Sequence, residues 1–155
     1  MARFRYKMQS ILDIKEKLEN KAKQDFAQAN ARLEEEKEKM AKLQKRKLAY
    51  MEEGATLRLE KIDVRKIREN KTAILKMDEY IQNQAIRIQA AAKEVELARQ
   101  ALQTVMQERK AHEKLKENAF QEFLKEEQAE ESKAIDGMTT YSHVQKLIGE
   151  QDYGK

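Results

Sequence analysis

The sequence contains no cysteine, no proline and no tryptophan, only four glycines, and 6% aromatic residues. Without cysteine there are no disulfides and no thiolate metal sites, which fits a reducing compartment. Without proline, and with Gly54 the only glycine inside the chain proper, the turn signals of a many-element fold are missing. Few aromatics beside 39% charged residues leave little to fill a globular core, so elongated helices are expected instead. No apolar run approaches the roughly 18 to 20 residues of a membrane span, and the N-terminus lacks a signal-peptide core. A cytoplasmic location is the expectation.

The charge is mixed rather than one-signed. A net charge of +4 arises from 32 basic and 28 acidic residues, closely interspersed. Such mixing argues against nucleic acid as the main partner, because phosphate backbones select a one-signed stripe. It fits a solvated helix surface with Glu-to-Lys pairs four apart, such as Glu19 with Lys23, Glu35 with Lys39 and Glu38 with Lys42. No catalytic pattern stands out. His112 and His143 are the only histidines, and no glycine-rich phosphate loop occurs. Glu108 and His112 share a helix face at metal-ligand spacing, a coincidence expected in so charged a helix. No enzyme activity, cofactor or metal is expected.

What the sequence does have is periodicity. Ile74, Met77, Ile81, Ile88, Ala91, Val95, Ala98, Leu102 and Val105 follow alternating steps of three and four, interrupted only by Gln84. That repeat keeps a narrow stripe against a partner helix. A second stripe runs through Phe4, Met8, Ile11, Leu18, Ala22, Phe26, Ala29, Leu33, Met40, Leu43 and Met51, with Lys15, Glu36 and Lys47 at its polar positions. Its steps average about 3.6 residues, so it should supercoil less than a strict heptad. A helix of this length spans roughly 70 Å.

The first stripe fails around Gly54, the natural helix end, and Asp63 is a candidate N-cap for the next helix. The expected fold is all-α: two long helices in an antiparallel coiled-coil hairpin with a C-terminal helical overhang. Helices are expected over about 4–52 and 64–136, with a turn and short helix over 53–63. Together they form a hairpin domain at 1–137, followed by a mobile tail at 138–155. Placing Met51 near Ile67 sets Phe26 opposite Ala91 and Ala92, Ala22 opposite Val95, and Phe4 near Leu115. Everything beyond about Lys116 is then unpartnered, including Phe120 and Phe123. The alternative is one uninterrupted helix pairing with another chain, a scaffold or spacer, which a solution mass would distinguish. A basic N-terminal anchor using Arg3, Arg5 and Lys7 on a membrane or nucleic acid is a further rival, marked by steep salt dependence. Tyr50 and Tyr80 do not fit the seam and are candidates for a binding face.

The opening Phe4-Arg-Tyr6-Lys-Met8-Gln9-Ser-Ile11-Leu12, followed by Lys15-Glu16, resembles the start of the flagellar export protein FliJ family. The resemblance continues through Gly54, Tyr80-Ile81-Gln82, Glu113-Lys114-Leu115-Lys116-Glu117 and Lys133-Ala-Ile135-Asp136, where Gly137 replaces the family's usual acidic residue. It implies a cytoplasmic, non-enzymatic part of the flagellar type III export apparatus, peripheral to the membrane at the flagellar base. By resemblance its partners are the hexameric export ATPase, the cytoplasmic domain of the export gate and export chaperones. The end bearing Phe4, Tyr6, Met8, Phe120 and Phe123 would enter the ATPase ring. Leu43, Tyr50, Met77, Tyr80 and Gln84 would form the gate-binding face.

Overall fold

The computed structural model describes residues 2–59 and 61–153. It is all-helical: α1 spans Gln9–Leu59 and α2 spans Val64–Tyr153, packed against each other as an antiparallel hairpin. Among the described residues there is no strand. The chain divides into two compact units, one of Met1–Glu16 with Glu108–Lys155 and one of Lys17–Gln107.

Helix α2 starts where its cap allows. Asp63 Oδ1 accepts the backbone N–H of Arg65 at 3.0 Å and of Lys66 at 3.5 Å, and the Asp63 carbonyl accepts from Ile67 N–H at 3.2 Å. The expected cap at Asp63 is therefore present, and it satisfies donors that otherwise lack an intrahelical partner. Downstream, the whole stripe from Ile74 to Val105 is buried or half-buried, Gln84 included.

The stripe on α1 needs correction at both ends. Leu12 is 2% exposed, whereas Ile11, Leu18 and Met51 lie at 38%, 43% and 50%. The seam passes instead through Leu12, Lys15, Glu19, Ala22 and, near the turn, Tyr50 and Gly54. Glu19 is 5% exposed and ion-paired with Lys23 at 3.4 Å, so a charged side chain occupies the position where an apolar neighbour was expected.

Gly54, expected to end α1, and Gly137, just past the expected end of α2, both lie inside helices, and no glycine among the described residues has positive φ. Helix α1 continues past Gly54 to Leu59, leaving no short helix over 53–63, and α2 continues past Gly137. At Gly54 the reason is packing. A Cβ there would overlap Asn70 Oδ1, and Asn70 Nδ2 donates to the Tyr50 carbonyl at 2.8 Å. Glycine thus lets the second helix approach closely enough to bond the first.

Because α1 runs on beyond Gly54, the chain folds back later than expected, and each added residue moves the facing position along α2 by twice as much. Within the 17–107 unit, Arg32 pairs with Glu94 at 3.1 Å and Lys47 with Asp78 at 2.5 Å, both further along α2 than a fold-back at Gly54 requires. In the other unit Phe4 meets Phe120 and Phe123 rather than Leu115, with ring centroids 5.2 and 5.4 Å apart. The unpartnered stretch therefore does not start at Lys116. It starts after Glu127, and residues 128–148 are all exposed.

A polar layer interrupts the apolar seam. Gln84, 5% exposed, donates from Nε2 to the Glu36 carbonyl at 2.9 Å and to Glu36 Oε2 at 2.5 Å. The Gln84 hydrogen bond holds the Glu36 carboxyl below its ordinary pKa, against the opposing effect of desolvation and with help from Lys39 and Arg87.

Two predictions follow from these contacts. Gly54→Ala gains about 1 kcal/mol of helix propensity but displaces the Asn70 amide, at a cost of about 1 kcal/mol or more. In an Asn70→Ala background the same change should stabilise the protein clearly, and in the wild-type background it should not. Urea melts of the four chains measure the coupling, and equal effects in both backgrounds would refute the close-approach explanation. The second concerns Glu36, whose folded pKa lies below the ordinary 4.5. Its charged form stabilises the fold above that value, and this contribution is lost as pH falls through the folded pKa. Stability measured from pH 5 downward, about the range of carboxylate titration, should therefore fall less steeply in Glu36→Gln than in wild type.

Candidate partner-binding surfaces

In the 17–107 unit the residues expected on a gate-binding face occupy different depths. Met77 and Gln84 are each 5% exposed, inside the hairpin. Leu43 and Tyr50 are half-buried, and Tyr80 stands 49% exposed. Leu43, Tyr80 and Gln84 come together in one shallow groove of about 330 Å³, completed by Asn83 and Arg87. Tyr50 lines a separate groove nearer the turn with Leu57, Lys66 and Asn70. Two helices with small and medium seam residues leave such furrows on their flanks, floored by seam side chains and walled by polar ones.

Asn83 and Arg87 were not singled out from the sequence. The signal was available: Tyr80, Asn83 and Arg87 fall at i, i+3 and i+7, so they form one row beside the seam. The opposing row was obscured by the whole-chain charge balance. Lys39, Lys42 and Arg46 have the same spacing and flank Leu43, within a stretch from Lys39 to Met51 that contains no acidic residue.

The unit built from both ends of the chain carries the other expected surface. Phe4 packs against Phe120 at an interplanar angle of 67° and against Phe123 at 49°. Tyr6 is half-buried, and its hydroxyl has no hydrogen-bond partner among the described residues. Met8 is 41% exposed. A groove of about 500 Å³ is lined by Arg3, Phe4, Arg5, Tyr6, Gln9 and Lys116, so aromatic rings sit beside cationic side chains. Glu108, which shares a helix face with His112, accepts from Lys15 Nζ at 2.9 Å. Further along α2, Ala134, Met138, Tyr141, Val144 and Ile148 recur at helical spacing, and all are exposed.

Among the described residues no group of three or more His, Cys, Asp or Glu side chains is placed to hold a metal. No described helix is long and apolar enough to cross a membrane. The surfaces suit protein partners, through aromatic residues, arginines and half-exposed aliphatic side chains.

Comparison with known proteins agrees with this picture. The solved structure of a YscO homolog, CT670, from Chlamydia trachomatis resembles the fold, with a TM-score of 0.64 and 23% identity. The match covers 91% of this chain and 96% of that one. No curated protein sequence matches significantly. The family model described as flagellar FliJ protein matches residues 4–147. With the hairpin formed and the match spanning nearly its whole length, the chain belongs to the FliJ family of flagellar type III export components.

Proposed function

We propose that this protein is the central stalk of the hexameric flagellar export ATPase, linking that ring to the cytoplasmic domain of the export gate and escorting export chaperones. The observation that carries the reading is family membership over residues 4–147 in an all-helical hairpin. Its partners perform the nucleotide chemistry, and this chain contributes contacts. A single asymmetric hairpin in a sixfold ring touches only some equivalent subunits at once and biases their states unequally.

The end bearing Phe4, Tyr6, Met8, Phe120 and Phe123 is assigned to the ring. The exposed apolar row from Ala134 to Ile148 supports this, since a helix with such a row needs a partner to cover it. The mid-hairpin groove with Leu43, Tyr80 and Gln84 is assigned to the gate, with Met77 buried in the seam and Tyr50 lining the neighbouring groove nearer the turn. At the flagellar base the protein is peripheral to the membrane through these partners.

Separate variants test the two assignments. Met138→Ser with Ile148→Ser should reduce stimulation of the purified ATPase while leaving the thermal unfolding of the hairpin unchanged, because both side chains are exposed. Leu43→Ala with Tyr80→Ala should weaken binding to the gate domain about tenfold without affecting the ATPase. Unchanged ATPase stimulation in the first variant removes the ring role from the overhang. Unchanged gate binding in the second removes the gate from the groove.

A further inference from the structure

In the middle of the hairpin the mixed charge becomes one-signed on both helices. Between Glu38 and Glu52, α1 carries Lys39, Lys42, Lys45, Arg46 and Lys47 with no acid, and between Glu79 and Lys93 the only charge on α2 is Arg87. Part of this charge is used internally. Lys47 pairs with Asp78 at 2.5 Å and Lys39 with Glu36 at 3.6 Å. Lys42, Arg46 and Arg87 have no carboxylate within 4.0 Å among the described residues. Arg87 acts weakly on Glu36, but that carboxylate is already bonded by Gln84 and turned into the seam, with only 16% of its side chain exposed. Exposed cations on a flexible stem are common; here Arg87 lines the groove with the Tyr80 ring, and Lys42 and Arg46 belong to the row beside Leu43 on the helix that forms the opposite wall.

We propose that this groove docks an acidic segment of a partner protein, in which an aromatic or aliphatic side chain is flanked by carboxylates. The inference rests on the assignment of the groove to a protein partner and names the chemistry that partner must present. The apolar side chain would pack between Leu43 and the exposed Tyr80 ring, and the Asn83 amide can both donate to and accept from the segment's backbone. Arg87, together with Arg46 and Lys42 across the groove, pairs the carboxylates, with the arginine forks suited to bidentate contact. Nucleic acid fits less well. The patch is closed at its ends by Glu36 and Glu38 on one side and Glu52 and Glu53 on the other, and Leu43 and the Tyr80 ring in the groove offer apolar surface that a phosphate backbone does not use.

The test uses the full chain as bait for a displayed library of short random peptides. Selected peptides should combine Asp or Glu with an aromatic residue or Leu, and their affinity should fall at least about tenfold on Arg87→Glu and only partly on Arg87→Lys. Their affinity should also fall with added NaCl. Thermal unfolding of Arg87→Glu should match wild type, since the side chain is exposed. Peptides without acidic residues, or peptides that bind Arg87→Glu equally well, would overturn the proposal. So would displacement of selected peptides by an oligonucleotide that itself binds more tightly. Competition by the purified gate domain separates the two readings. Acidic peptides that depend on Arg87 but are not displaced by the gate would leave the groove's chemistry standing and send the search to a different partner.

Discussion

The contact between α1 and α2 buries very few side chains completely. Leu12, Ala22, Met77 and Ala91 are the apolar residues at or below 9% exposure, and two of them are alanines. At roughly 25 cal/mol per Å² of apolar surface removed from water, alanines contribute little, and half-covered leucines and isoleucines supply most of the attraction. A seam this thin resists separation but distinguishes poorly between neighbouring alignments, because one half-buried aliphatic residue substitutes for another. The polar contacts across the seam supply what the apolar ones lack. Gln84 reaches both the carbonyl and the carboxylate of Glu36, and Asn70 reaches the Tyr50 carbonyl. Neither bond survives a shift of alignment, and a buried amide left without its acceptor is costly. The groove, whose two walls come from different helices, inherits its shape from that alignment.

How much of this the sequence discloses depends on which residues occupy the seam. On α2 the seam positions from Ile74 to Val105 are apolar except Gln84, so spacing alone identifies them. On α1 the true positions include Lys15 and Glu36, which the spacing already marks as polar, and Glu19, which lies beside a more apolar candidate outside the seam, Leu18. Choosing the most hydrophobic phase selects Leu18 over Glu19 and Met51 over Tyr50. The error has a physical origin: a charged residue with a long stem can cover a seam while directing its head toward a partner such as Lys23. Glycine misled for a related reason. Its freedom to end a helix is visible in sequence, whereas its use in bringing Asn70 close to α1 depends on what lies opposite. From that misplaced turn followed the displaced register and the early start assigned to the overhang.

The candidate surfaces were legible in part. Phe4, Phe120 and Phe123 could be placed at one end by folding the chain back, and the structure brings their rings into contact. Tyr80 stands out as a ring that does not fit the seam, Leu43 and Gln84 follow from family resemblance, and the three share a groove. Arg87 and Asn83 were overlooked because a charge balance taken over the whole chain averages away a local excess. Electrostatic attraction at physiological salt reaches only about 8 Å, so the charge that a partner feels is that of one patch. A stretch of α1 without acid opposite a single arginine on α2 carries more information than the net charge of +4.

Gln84 belongs to both the alignment of the helices and the wall of the groove, and this double membership governs how variants there should be interpreted. Replacing it with leucine would extend the apolar seam and at the same time remove the hydrogen bond that most lowers the Glu36 pKa. Glu36 would then turn outward in search of water or a cation: Lys39 already pairs with it at 3.6 Å, and Arg87 lies within its electrostatic reach across the seam. Pairing Glu36 with Arg87 would neutralise the charge that the groove offers to an acidic segment. A loss of partner binding in a Gln84 variant would therefore reflect capture of Arg87 by Glu36 as well as any lost contact. The paired change of Gln84 to leucine and Glu36 to leucine removes the competing carboxylate, so restored binding in that chain would show that Gln84 acts by keeping Glu36 away from the groove rather than by touching the partner.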